Sequence, residues 1–318
     1  MRKEIQIQVT KEITDRMEKL PGTMDIRKLL RHQAGLTNRE ISQAKFREGG
    51  IRKNGIRCRV TEQAGPGDVI RVCLETEENR SDHLEHFQGT GSRKLRVLYE
   101  DADLLAAEKP AGMVSHPSGG HYRDTLANLV QSYFLDKGEP VRIRPVGRLD
   151  RETSGIMVFA KNQAAAARLG RQRENGDFRK VYTALVTGEL PAGSQGCIRQ
   201  PIGPDPRDRL RMRVDAGGKP AVTFWRAKAS GEGFSLIKLR LETGRTHQIR
   251  VHMAWAGHPL AGDSLYGQGA DGGMRRAALH AGEVRLVQPF TGEILKFSAP
   301  LPRDMERLAA VIFAADPS

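Results

Sequence analysis

Cysteine is scarce: Cys58, Cys73 and Cys197 are an odd number and form no Cys-x-x-Cys pair. That argues against a disulfide framework or a structural zinc site as what holds the chain together. No apolar run approaches the roughly 18 residues needed to cross a bilayer as a helix. The opening Met1-Arg2-Lys3-Glu4-Ile5 leads into mixed charge and not into an apolar stretch, so no secretory signal is expected and the expected compartment is the cytoplasm. The chain has no internal repeat and no sustained βαβ alternation. A G-x-G-x-x-G opening a helix after a strand is absent, which speaks against a nucleotide-cofactor methyltransferase. Glu152-Thr153-Ser154-Gly155 lacks the first glycine of a G-x-S-x-G elbow, which weakens a hydrolase reading built on Ser154, a histidine and Asp150.

What is present is charge. Of 318 residues, 38% are hydrophobic and 28% charged, and the formal net charge is +13. Mean hydropathy is -0.50 and the isoelectric point about 9.9. This is a globular composition with a cationic excess, and it points to a polyanionic partner, nucleic acid before membrane surface. The length fits one large domain and one small one.

Residues 24–74 carry eleven Lys and Arg against five Asp and Glu, a net +6. Ile26 to Arg31 has helical spacing. Thr37 or Asn38 is placed to cap a second short helix, and Gly49-Gly50 ends it. Asn54-Gly55 between apolar residues predicts a tight hairpin turn, and Val69 to Val72 reads as a strand. Residues 79–94 are acidic, then rich in Gly and Ser, and read as a linker. From Leu95 a larger unit begins. Val97 to Tyr99 and Leu104 to Ala107 are strand-like. Asp124 is the expected cap of a helix with Leu126, Leu129, Val130, Tyr133 and Phe134 on one face. Ile156 to Ala160 is an apolar strand, Ala164 to Arg173 a helix, and Ile237, Leu239 and Leu241 alternate as in a half-buried strand. His247 to Ala256 reads as a helix ended by Gly257, and Pro289 to Gly292 divides two late strands. The fold expected is α+β: a mixed, mainly antiparallel sheet with flanking helices, plus a small α+β unit in front of it.

The chemistry concentrates in Arg144-Pro145-Val146-Gly147-Arg148-Leu149-Asp150-Arg151-Glu152-Thr153-Ser154-Gly155. This is a polar loop running into the apolar strand from Ile156. A carboxylate among guanidinium groups stays ionised at neutral pH and can act as nucleophile or base. His247, His252 and His258 are a weak metal set, because five residues separate the first two and no cysteine cluster joins them. No metal is expected.

The segment Arg148 to Gly155 resembles the catalytic motif of the RluA family of pseudouridine synthases. Other elements follow in the family's order: Lys109-Pro110-Ala111-Gly112 with Ser115-His116-Pro117, then Lys180-Val181-Tyr182. Leu241 to His252 (LETGRTHQIRVH) and Gly257-His258-Pro259-Leu260-Ala261-Gly262-Asp263 with Tyr266-Gly267 complete it. The resemblance spans roughly residues 95–305. Residues 24–74 resemble the S-four-like RNA-binding domain through their two helices, Gly50-Ile51-Arg52-Lys53-Asn54-Gly55 and Gly67-Asp68-Val69-Ile70. One departure stands out: many family members carry His before Arg-Leu-Asp, and here it is Gly147.

The resemblance implies an S-four-like domain with an N-terminal extension over 1–78, a linker over 79–94 and a catalytic domain of the pseudouridine synthase fold over 95–318. It implies isomerisation of uridine in structured RNA, ribosomal RNA first, without a cofactor and by a monomer. Asp150 would be the catalytic carboxylate, Tyr182 would stack on the target base, and Arg245 would pair with Asp150. Arg148, Lys109, Lys180 and Arg250 would contact RNA around the site. Arg27, Arg39, Lys45, Arg52 and Lys53 would contact it from the N-terminal unit. The alternative is a non-catalytic RNA-binding or ribosome-assembly protein on the same scaffold; retention of Asp150, Tyr182 and Arg245 together argues against it.

Overall fold

The computed structural model describes residues 2–15, 23–46, 49–75, 84, 86–89, 94–139, 141–267 and 271–315. The N-terminal unit contains β1 (Arg2–Gln8), α1 (Lys11–Asp15), β2 (Met24–Asp25), α2 (Ile26–His32), α3 (Asn38–Lys45), β3 (Ile51–Lys53), β4 (Ile56–Arg57), β5 (Gln63–Ala64) and β6 (Val69–Glu75). Four strands form an antiparallel sheet in the order β1-β6-β3-β4, and β2 pairs with β5. Local chemistry explains the boundaries. Asp25 caps α2 by accepting from Arg27 N and Lys28 N. Thr37 and Glu40 form a reciprocal capping box on α3, which satisfies two otherwise orphaned amides. Asn54 and Gly55 both take positive φ, 51° and 84°, as the two-residue turn between β3 and β4 requires. Met24, Ile26, Leu29, Leu30, Ile70 and Val72 close a core of their own.

The larger unit runs β7 (Arg96–Glu100), β8 (Leu104–Lys109), α4 (Leu126–Asp136), β9 (Arg144–Pro145), β10 (Ser154–Ala160), α5 (Gln163–Asn175), β11 (Arg179–Thr187), β12 (Gln195–Ile198), β13 (Ile202–Asp205) and β14 (Asp208–Val214). It continues through β15 (Thr223–Gly231), β16 (Phe234–Leu241), α6 (Gln248–Trp255), β17 (Leu279–Val287), β18 (Ile294–Ser298) and α7 (Arg303–Ala315). The central sheet has the order β12-β15-β16-β11-β17-β10-β8-β7, with β18 beside β17 and β9 beside β10. Its pairings are antiparallel except β10 with β17. The fold is thus α+β, a mixed sheet with flanking helices.

At β10 the sheet is buried on both faces, which is why Ile156 to Ala160 is apolar throughout. Met157 and Phe159 join the front core with α4 and α6. Ile156, Val158 and Ala160 meet α5 on the back. Each fully buried large aliphatic or aromatic side chain here contributes about 1.5–3 kcal/mol. Two boundaries differ from the sequence reading. Thr125, not Asp124, caps α4; Asp124 instead binds His121 Nδ1 at 2.6 Å. His247 is not the first helical residue of α6 but its N-cap, in the left-handed region at φ 54°. Leu84 and Phe87, from the stretch read as a linker, pack against the front core, and Phe87 N donates to Ser132 Oγ at 2.8 Å.

The two units meet at α5. Arg168 Nε donates to the Ala34 carbonyl at 2.9 Å, its guanidinium stacks 4.2 Å from the Phe290 ring centroid, and it lies 3.6 Å from Glu40. Ala164 belongs to the N-terminal core.

Gly155 is what lets β10 lie parallel to β17. Its φ is 118°, and a Cβ there would sit 2.3 Å from the Ala281 carbonyl oxygen. Gly155→Ala should therefore cost about 3 kcal/mol through backbone strain and overlap, read as a lowered guanidinium midpoint. A midpoint equal to wild type would show that the sheet yields at this point without cost.

Candidate active site

A cavity of about 520 Å³ opens between the loop before β10, the end of α5, β11 and the start of α6. Asp150, Arg148, Lys180, Tyr182 and Arg245 all line it, as do His116, Arg173 and Thr243. Five residues singled out in sequence, spread over almost a hundred positions, are thus brought to one wall.

The loop bearing Asp150 is pinned from below. Ser115 Oγ donates to the Leu149 carbonyl at 2.6 Å and accepts from Leu149 N at 3.0 Å. Gly112 N donates to the Arg151 carbonyl at 2.8 Å. Lys109 is 0% exposed, and its ammonium donates to the carbonyls of Pro110, Met113 and Arg151. Burial pulls it down to about 7, opposed by the charge of Asp150. The assignment of Lys109 to RNA contact is therefore corrected: it has no exposed surface, and it ties the Lys109–Met113 turn to the Asp150 loop. Arg250 needs the same correction. It is buried and binds Asp263 through two bonds, at 2.8 and 2.7 Å, with Glu152 3.5 Å away. Its charge acts on Asp150 from within the protein.

Arg245 departs from expectation differently. Its Nε donates to the Pro220 carbonyl at 2.9 Å. Among the described residues, no cation lies within 4.0 Å of the Asp150 carboxylate, so the expected ion pair is not formed here. Arg148 is exposed and hydrogen-bonds Thr246 Oγ1. Burial and the negative charge of Asp150 both push the Tyr182 phenol well above its ordinary value, so it stays protonated. Burial, with Arg173 adding to it, pulls Lys180 down to about 7; its ammonium donates to the Ile156 carbonyl at 3.1 Å.

Gly147 has φ 85°, and a Cβ there would lie 3.2 Å from the Arg173 guanidinium carbon. Glycine at this point makes room for a cation from α5. Arg173 was not singled out in the sequence, where it is one more basic residue in a helix, and no local signal marks it.

The histidines are committed to protein partners. His252 binds Thr223 Oγ1 and the Gln200 carbonyl, and His258 binds the Thr187 carbonyl. His247 Nδ1 lies 2.9 Å from the Tyr266 hydroxyl; burial lowers its pKa, opposed by Asp150 and reinforced by Arg250. The Tyr266 hydroxyl also accepts from Met212 N on β14 at 2.8 Å. No described group of three or more His, Cys, Asp or Glu could hold a metal ion. Ser154 does meet a histidine, His280, at 2.9 Å. Both are buried, and the far nitrogen of His280 faces the Ala299 carbonyl, not a carboxylate. The pair lacks the access and the acid of a hydrolytic triad.

In the N-terminal unit Arg27 and Arg52 are exposed and Lys45 half-buried. Lys53 is engaged with Asp68 at 2.9 Å and with the Gln63 carbonyl. The Arg39 side chain lies outside the described residues.

Removing one partner of the buried Arg250–Asp263 pair leaves the other charge uncompensated, at a cost of about 3–5 kcal/mol. Arg250→Met should show that loss in a denaturant midpoint, and adding Asp263→Leu should recover part of it. If the double variant is no more stable than the single one, the pair is not what the loop leans on.

The comparisons with known proteins agree with this geometry. Residues 103–255 match the RNA pseudouridylate synthase family. An uncharacterised RNA pseudouridine synthase of Bacillus subtilis (strain 168) is 43% identical over 250 residues, covering 78% of this chain and 80% of the relative. The ribosomal large subunit pseudouridine synthase D of Nitrosomonas europaea is 39% identical over 254 residues, covering 77% and 72%. Human RNA pseudouridylate synthase domain containing 1 superposes with a TM-score of 0.55 at 26% identity, over 73% of this chain and all of that one. With relatives this similar over most of both chains, the chain belongs to the RNA pseudouridine synthase family, of the RluA-like type.

Proposed function

We propose that this RNA pseudouridine synthase acts on uridines of ribosomal RNA and that Asp150 is its catalytic carboxylate. The observation carrying the reading is the position of Asp150 on a pinned loop in a cavity of nucleotide size, beside a protonated Tyr182. The isomerisation breaks the N1–C1′ bond of uridine, forms C5–C1′, moves a proton off C5 and returns one to N1. Atoms and electrons balance within the substrate. Asp150 either attacks C1′ or removes the 2′ proton; both use its carboxylate as the electron-pair donor. The target nucleotide must leave its stack, at a few kcal/mol, and phosphate contacts offset that cost.

In this proposal Tyr182 supplies a face for the base. Arg245 exchanges Pro220 for the carboxylate side of the cavity when RNA enters, and Arg148 and Lys180 face the nucleotide. The N-terminal unit, over 1–78, is a separate S-four-like RNA-binding domain that uses Arg27, Arg39, Lys45, Arg52 and Lys53 as its RNA-binding residues. The protein works as a monomer in the cytoplasm. No described helix is long and apolar enough to cross a membrane.

Asp150→Asn should abolish pseudouridine formation on ribosomal RNA while RNA affinity stays within about twofold, because size is kept and a single charge removed. Pseudouridine produced by that purified variant at an appreciable rate would remove Asp150 from the mechanism.

Lys180 gives a pH signature. Its folded pKa, about 7, lies below its ordinary 10.5. Between those values the folded state binds fewer protons than the unfolded one, so this residue makes stability rise with pH from about 7 to about 10.5. Below 7 it regains a charge facing the cavity. RNA affinity should therefore strengthen from pH 8 to 6, more than in Lys180→Met. Identical pH profiles for the two proteins would mean that Lys180 does not titrate toward the RNA.

Tyr266→Phe keeps the ring but removes the hydroxyl joining Met212 to His247. The single-turnover rate at saturating RNA should fall about tenfold, or ~1.4 kcal/mol, with RNA Kd unchanged. A full rate in this variant would show that the hairpin formed by β13 and β14, which carries Met212, does not help to position the site.

A further inference from the structure

The sheet's back face is covered at both ends but not throughout. In β11, Tyr182, Ala184 and Val186 turn to the front core, so Val181, Thr183 and Leu185 turn back. On that back face α7 covers Leu185, Leu236 and Ala229 with Met305, Leu308 and Ile312. Across the sheet, α5 covers Ile156, Val158 and Val284 with Ala165 and Leu169. Between the two helices a quadrant is left bare, and there the outward residues change character. Val181 pairs with Arg240, Arg240 with Phe224 and Phe224 with Cys197. In the adjacent row Thr183 pairs with Lys238, Lys238 with Arg226 and Arg226 with Gln195. The quadrant forms a hollow of about 550 Å³.

Its charge is nearly of one sign. Glu283 is the acid beside it and is engaged by Lys238 at 2.7 Å. Arg199, Arg226 and Arg240 are exposed and form no ion pair with a described carboxylate. Arg240 and Arg199 lie 5.0 and 5.9 Å from the Phe224 ring centroid. A guanidinium resting on a ring keeps its in-plane N–H groups free, and those are the groups that bind phosphate oxygens.

We propose that this quadrant is a second RNA-contact surface, which holds the phosphate backbone of a substrate segment distant from the target uridine. The occupant follows from charge. Guanidinium groups with no ion pair to a described carboxylate fit a polyanion, and the enzyme's substrate is one. A protein partner would need exposed apolar area, and Val181 and Phe224 are both half-buried. The edge strand β12 gives RNA a route from the cavity side to the back. None of these arginines lines the catalytic cavity, so they bear on affinity and substrate length, not on the chemical step.

Two measurements on the full chain test this, with a large-subunit ribosomal RNA transcript as probe. In the first, Arg199→Gln, Arg226→Gln and Arg240→Gln are combined. The slope of log Kd against log salt should fall by about 0.7 for each phosphate that the variant no longer neutralises, while the single-turnover rate at saturating RNA stays at the wild-type value. In the second, a benzophenone is attached to exposed Cys197 after Cys58→Ser and Cys73→Ser. Irradiation should join this folded protein to the transcript, and high salt should suppress the product. An unchanged slope with no RNA crosslink overturns the proposal. So does a Cys197 crosslink made to protein in preference to the added transcript. Either result stands apart from the Asp150 assignment, which rests on product formation and not on affinity.

Discussion

The site depends on keeping several ionic side chains out of water without leaving any of them unmatched. Lys109, Arg250, Asp263 and Arg276 are all buried beneath or beside the Asp150 loop. Lys109 is met by three carbonyls, and Arg250 by two bonds from Asp263. Arg276 donates to the Glu152 carbonyl at 3.0 Å and pairs with Asp304 at 2.7 Å. A buried ion pair is a poor way to gain stability, since apolar residues of similar volume often do as well. What it supplies here is direction: each cation reaches residues 151–152 or the segment beside them, so loop position and charge balance are one constraint. Asp150 then stands among positive charges whose own positions are fixed by the fold.

The start of α6 extends the same constraint across the cavity. The Gln248 side chain accepts from Arg245 N and Thr243 Oγ1 and donates to Val222 and Thr223. His252 reaches Gln200, and Tyr266 joins His247 to Met212. The β13–β14 hairpin, with Arg207, Arg209, Arg211 and Arg213 along it, is therefore wired to the wall that carries Arg245. Arg211 lies 5.5 Å from the Tyr266 ring on one side, and Arg250 lies 5.2 Å from it. The hairpin and the cavity wall are thus joined by direct hydrogen bonds.

Much of this was legible in the sequence because it is local. A cap at Thr37 or Asn38, the Asn54-Gly55 turn, the helix face of α4 and the apolar β10 each follow from a few adjacent residues. The cavity set was legible through ordered motifs. Three things were not. Lys109 and Arg250 read as surface cations, because burial of a charge depends on carbonyls and carboxylates brought in by distant segments. The Arg245–Asp150 pair was expected from motif position, but Pro220, twenty-five residues upstream, holds the side chain. Strands β12 and β15 passed unread because their outward residues on the half-covered back face are cationic or mixed; β13, β14 and α7 were not read either. Binary patterning loses its contrast where a sheet is bare on one quadrant and covered on the next.

Gly147 shows how a single departure propagates. A side chain there would meet the Arg173 guanidinium at 3.2 Å while adopting a φ of 85°, a region that L residues enter at a cost of roughly 1–2 kcal/mol. Histidine at this position would have to push Arg173 aside or shift the loop. With glycine, the loop turns tightly and α5 delivers a permanent cation to the same wall. A histidine would bring a charge that titrates near neutral pH, whereas a guanidinium does not titrate in that range. Arg173 in turn helps to pull Lys180 down to about 7. The exchange therefore moves the titrating group of this wall from the Asp150 loop to β11, on the strand that also carries Tyr182.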